Sequence, residues 1–138
     1  MTRFDAADPA ERQKLYVDAI TAHRHRGSGF LTLEVDETAL DDSDSDGPDP
    51  ALGVPWLQFG DGTINLDCTD EELETLKSVL GEFPAFRIDE IHRPDNAEGV
   101  NVQISAKADP NRIAQCLDVI VQRVYDLPAD VRIWVVEL

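Results

Sequence analysis

Val100-Asn-Val-Gln-Ile-Ser-Ala106 is the stretch on which the fold reading turns. Its apolar residues Val100, Val102, Ile104 and Ala106 alternate with Asn101, Gln103 and Ser105, the period-two pattern of a strand with one face in a core and the other toward water. Upstream, across a turn at Asp95-Asn96 and Gly99, Ala85-Phe-Arg-Ile-Asp-Glu-Ile91 reads as its hairpin partner. Downstream, Asp109-Pro110 caps a helix whose buried stripe is Ile113, Cys116, Leu117, Ile120 and Val124. Val131-Arg-Ile-Trp-Val-Val136 then closes the chain as a strand.

Further upstream, Thr69-Asp-Glu-Glu72 is a capping box opening a helix with Leu73, Leu76, Val79 and Leu80 on one side and Gly81 at its end. Trp56-Leu-Gln-Phe59 and Thr63-Ile-Asn-Leu66 flank Gly60-Asp61-Gly62 and predict a second hairpin. Near the start, Asp8-Pro9-Ala10-Glu11 caps a helix carrying Leu15, Tyr16, Ala19, Ile20 and His23 at helical spacing, and Phe30 to Val35 reads as a strand. From about residue 63 the order β-α-β-β-α-β resembles a ferredoxin-like split βαβ unit. The expected class is therefore α+β, with a mixed or antiparallel sheet and two helices on one face. The N-terminal helix and strand are expected to extend that sheet or cover its other face.

A chain of 138 residues suits a single domain, expected over residues 1–138. Within it, Asp41-Asp-Ser-Asp-Ser-Asp-Gly-Pro-Asp-Pro50 has almost nothing to bury, so residues 38–53 predict a mobile acidic loop. The formal charge is −16, from 28 acidic and 12 basic residues, with only three lysines among the latter. Such a charge strains a compact fold in dilute buffer, whereas molar salt shortens the screening length to about 3 Å. The acids are spread over every segment, so the composition is in the style of salt-accumulating, halophilic cells. A nucleic-acid mimic would gather its charge on one face. No membrane-length apolar run and no signal-peptide pattern is present, and two cysteines without metal-like spacing fit a reduced cytoplasm.

Signals for chemistry are sparse. Asp42-Ser-Asp-Ser-Asp-Gly47 reproduces half of a calcium loop, but loop position twelve is Gly53 rather than glutamate. His23 and His25 diverge at a helix end, and no ligand spacing gathers them with His92, so no metal site is expected. Acidic neighbours argue against a nucleophilic Cys68, and Cys116 lies on an apolar stripe. No cofactor motif occurs. On the sheet face opposite the two helices, Asn65, Arg87, Asp89, Asn101, Gln103, Ser105, Arg132 and Trp134 are expected together. Trp134 as the one aromatic on that face, and the lack of an RNP-like glycine-aromatic run, argue against nucleic acid.

Two functions from different classes fit. The first is a non-enzymatic binding or regulatory module acting through protein contacts. It is expected to be a homodimer or to have another protein partner, with Trp134 and Val136 at the interface and the last strand at a sheet edge. The second is a small enzyme or ligand sensor with its site near Arg87, Asp89 and His92.

Overall fold

The computed structural model describes residues 5–26, 31–36, 55–93, 99–127 and 129–137. Its elements run β1 (Asp5–Ala6), α1 (Pro9–Arg26), β2 (Leu31–Val35), β3 (Trp56–Gly60), β4 (Thr63–Cys68), α2 (Asp70–Leu80), β5 (Phe86–His92), β6 (Val100–Ala106), α3 (Pro110–Val119) and β7 (Ile133–Glu137). The class is α+β: three helices and a seven-stranded antiparallel sheet. The acidic stretch expected to be mobile, with its half calcium loop, lies outside the described residues.

Local chemistry sets most boundaries. Asp8 accepts from the backbone N–H of Ala10 at 3.1 Å and heads α1. Thr69 and Glu72 exchange capping bonds of 3.1 and 2.8 Å at the start of α2. Asp109 accepts from the N–H of Arg112 at 2.9 Å, with Pro110 in the first turn of α3. The β3–β4 hairpin turns on Asp61 and Gly62, both in the left-handed region at φ 51° and 72°. That backbone matches the twist of the strands it joins. Helix α3 widens into a π segment over Ile120–Val124, which ends at Tyr125 and at Asp126, φ 52°.

The strand order is β1-β7-β2-β3-β4-β6-β5. The element order from Thr63 onward is the expected one, and β4, β6 and β5 lie side by side. The compact ferredoxin-like sheet does not form, because β2 and β3 stand between β4 and β7. Sequence order could not show this: a hairpin-like pair from upstream inserts wherever its inward face matches. Here the match is apolar throughout, with Leu33 opposite Leu57 and Val135, Leu57 opposite Leu66, and Leu66 opposite Val102.

Those inward residues and the apolar stripes of all three helices join one buried core. Helix α1 packs beside α3, and α2 beside the π segment. All three helices therefore belong to the same side of the sheet. Of the two expected placements for the N-terminal elements, β1 and β2 extend the sheet, and α1 does not cover the other face: its buried residues Tyr16, Ala19 and Ile20 join the shared core. The last strand is also not the outermost one, since Asp5 and Ala6 of β1 pair with Trp134 and Ile133.

Candidate interaction surface

With every helix on one side, the opposite face of the sheet is uncovered among the described residues. Directly paired residues of antiparallel strands share a face, so the register builds this surface row by row. One row runs Asp5–Trp134–Glu34–Trp56 across β1, β7, β2 and β3. It continues through Asp67 and Asn101 to His92 on β4, β6 and β5. The next row runs Thr32–Gln58–Asn65–Gln103–Glu90. A third holds Thr63, Ser105 and Arg87.

The surface divides into two halves of different chemistry. Around β4 and β6 the polar groups satisfy one another. Asn101 Nδ2 donates to Asn65 Oδ1 and Asp67 Oδ1, both at 2.9 Å, and Asn65 Nδ2 donates to Gln58 Oε1 at 3.4 Å. Around β7, β2 and β3 the aromatic and apolar residues Trp134, Val136 and Trp56 stand among Thr32, Glu34 and Gln58. Trp134 is 40% exposed and Val136 49% exposed, with Trp56 half-buried two strands away. The Trp134 indole N–H donates to Asp36 Oδ2 at 2.9 Å, which fixes one edge of the ring. Arg132 pairs with Asp5 beside it. Thr32 Oγ1 is buried on this face with no hydrogen-bond partner among the described residues.

Chemically capable groups elsewhere are occupied by the fold. The Arg12 side chain is fully buried and forms a bidentate pair with Asp118, Nε to Oδ1 at 2.8 Å and Nη2 to Oδ2 at 3.3 Å. Its Nη1 donates to the carbonyls of Ala7, Ala129 and Val131 at 2.7, 2.7 and 3.0 Å. The Tyr16 hydroxyl donates to Asp118 Oδ1 at 2.9 Å. Burial opposes the charge on Arg12, yet the bonds and charge of Asp118 more than offset it and hold its pKa above the ordinary value. Burial, reinforced by Asp118, holds the Tyr16 phenol well above its ordinary range. The network ties α1 to α3 and to the backbone leading into β7, a structural role.

Both thiols are buried. Burial pushes Cys68 up to about 12, with Glu72, Asp67 and Asp70 adding to it, and burial alone pushes Cys116 to about 12. A thiol held that high is neutral at neutral pH, the opposite of an activated nucleophile. Burial likewise holds Tyr125 well above the usual phenol range, and its hydroxyl donates to the Asp67 carbonyl at 2.5 Å. His23 is buried edge-on against Phe59, while His25 is exposed. No group of three or more His, Cys, Asp or Glu residues is arranged to hold a metal ion among the described residues. The crevice lined by Tyr16, Leu33, Trp56 and Tyr125 offers about 10 Å³, at the threshold for a single water.

The residues singled out from sequence fall as follows. Arg87 and His92 lie on the outermost strand β5, opposite Ser105 and Asn101. They are five residues apart, on the order of 15 Å at the rise of a strand. Asp89 sits at the irregularity between Ile88 and Glu90, so the three are strung along an edge rather than gathered. Trp134 and Val136 are brought together, and Asn65, Asn101, Gln103 and Ser105 share their face as expected. Trp56 is a second aromatic on that face, where one was foreseen. The period-two alternation of Trp56-Leu-Gln-Phe59 carried that signal, since Leu57 and Phe59 claim the core side.

The chain belongs to a family of unknown function, DUF7975, whose profile matches residues 1–138. No curated protein and no solved structure matches the chain. No helix among the described residues is long and apolar enough to cross a membrane.

Proposed function

We propose that this chain is a non-enzymatic binding module of a salt-rich cytoplasm, acting through protein contacts on the helix-free face of its sheet. The observation that carries the reading is the aromatic half of that face. A tryptophan 40% exposed and a valine 49% exposed stand on the sheet with no helix over them among the described residues. Covering apolar area is favourable by about 25 cal/mol per Å², so a partner that seats there gains from burial, and indole rings are frequent anchors of protein interfaces. The occupied or neutral state of Arg12, Cys68 and Cys116 supports binding over catalysis. A homodimer is the second reading, favoured by the outer edge of β7, where β1 pairs only with Ile133 and Trp134 among the described residues.

Carboxylate-reactive cross-linking and mass spectrometry, on protein isolated in the salt of its own cytoplasm, tests the module. Links to partner proteins are expected at Glu34, Asp67 and Glu90 of the open face. Links concentrated at Glu11 and Glu74, on the helices, would show that a different surface binds. Light scattering of the native chain and of Trp134→Asp in multimolar potassium chloride tests the homodimer, which requires a native dimer that the substitution dissociates.

A further inference from the structure

Resting on the open face as a contact surface, we propose that Trp134, Glu34 and Trp56 form a cation-binding row for an arginine side chain on a basic segment of a protein partner. The register pairs Glu34 with Trp134 on one side and with Trp56 on the other. Side chains directly opposite on neighbouring strands start about 5 Å apart at Cβ, so both tryptophans are immediate neighbours of Glu34. An indole face attracts a cation within ~6 Å of its centre. The row thus sets a carboxylate between two tryptophans.

The charges point the same way. Arg93 is paired with Asp70, Arg123 with Glu82, Arg132 with Asp5 and Arg12 with Asp118. Glu34 is exposed and has no ion pair among the described residues, so its charge is available to an incoming cation. Asp5 and Asp67 extend the row, and Asp36 holds the Trp134 ring. With Asp5, Glu34 and Asp67 along it the row is acidic, and the segment complementary to it is basic. Arginine fits better than lysine because its guanidinium is flat and weakly hydrated. It stacks on indole while presenting two N–H groups to one carboxylate. With no helix over it among the described residues, the row does not enclose a small ammonium ion. A polypeptide supplies the rest of its cover along Gln58, Asn65 and Gln103.

Trp56 and Trp134 are the chain's two tryptophans, so intrinsic fluorescence reports on this row. The probes are a blocked peptide of alternating arginine and glycine, the same peptide with citrulline for arginine, and tetramethylammonium chloride, all at one fixed potassium chloride concentration. A saturable change is expected with the arginine peptide, weakened about tenfold or more by citrulline and about tenfold by Glu34→Gln. Trp56→Leu and Trp134→Leu, each keeping the other ring as reporter, weaken it about threefold or more. Glu74→Gln on α2 leaves it unchanged. No saturable response, an affinity indifferent to Glu34→Gln, or saturation by tetramethylammonium as readily as by the peptide overturns the proposal. If the peptide fails while partner cross-links still map to Glu34, Asp67 and Glu90, the cation row falls and the open face stands. Links confined to the helices remove the face as well.

Discussion

Asp118→Ala should be among the most damaging single substitutions in this chain. The carboxylate accepts two bonds from the fully buried Arg12 guanidinium and one from the Tyr16 hydroxyl. Its removal leaves a buried cation with only the carbonyls of Ala7, Ala129 and Val131 as acceptors. Deleting one partner of a buried pair costs about 3–5 kcal/mol. Three good carbonyl contacts stay with Arg12, which puts the expected loss near the lower end, about 3 kcal/mol. At about 2.1 cal/mol/K of unfolding entropy per residue, that lowers the melting temperature by about 10 °C. Arg12→Met should cost at least as much, because three carbonyls lose this donor and the buried end of Asp118 keeps only the Tyr16 hydroxyl. In the double variant Arg12→Met/Asp118→Leu the charge problem disappears, but the three carbonyls still lack donors. It should remain about 2 kcal/mol below the native chain, clearly above the sum of the single losses. Thermal melts followed by circular dichroism, all in the same multimolar potassium chloride, measure the cycle. A loss below 1 kcal/mol for Asp118→Ala, or single losses that simply add, would refute the reasoning.

Two threonines give opposite signs for the same lost hydroxyl. Thr32→Val removes a buried oxygen without a partner among the described residues and should stabilise by about 1 kcal/mol, whereas Thr69→Ala removes the α2 cap and should cost about 1 kcal/mol; denaturant midpoints decide, and equal signs would sink the contrast. Stability should fall as pH rises from about 9 toward about 12, because the unfolded thiols ionise from 9.0 while folded Cys68 and Cys116 hold their protons to about 12. Each thiol contributes a slope of about 1.4 kcal/mol per pH unit, Cys116→Ala should make the decline shallower, and a urea midpoint constant over that window would contradict the burial argument. Melting temperature should climb with potassium chloride beyond physiological ionic strength, since −16 net charge is relieved by screening; a flat profile would end the salt-adapted reading.

The legible parts of the fold were those specified by neighbours in sequence. Thr69 and Glu72, Asp109 and Pro110, and Asp61 and Gly62 each act within four residues of themselves, and each forms the cap or turn its spacing announces. The alternation of Val100 to Ala106 likewise reads straight into burial. Strand order was not legible, because the place of β2 and β3 between β4 and β7 depends on pairings across the whole chain. Arg12 and Asp118 were invisible for a related reason. They are 106 positions apart, and in a sequence with 28 acids a charged residue on a helix reads as solvated until its partner is known. On the candidate surface, the polar residues and Trp134 followed from alternation. The juxtaposition of Glu34 with both tryptophans required the register.

That juxtaposition also bears on which protein partner the face selects. A two-fold dimer through it would bring together two copies of a chain of charge −16, and two Asp5–Trp134–Glu34–Trp56–Asp67 rows. Glu34 and Asp67 gain no cation from such a partner, whose own row carries the same carboxylates. In molar salt the screening length of about 3 Å reduces the repulsion of like charges without turning it into attraction. A basic segment gains from the same groups that a second copy must tolerate. It gains further where the guanidinium stacks on an indole while meeting the carboxylate. Self-association therefore has to be won by apolar burial at Trp134 and Val136 and by the outer edge of β7. A basic partner can use these and the carboxylates too, which is why raising salt should weaken the foreign complex while strengthening any dimer.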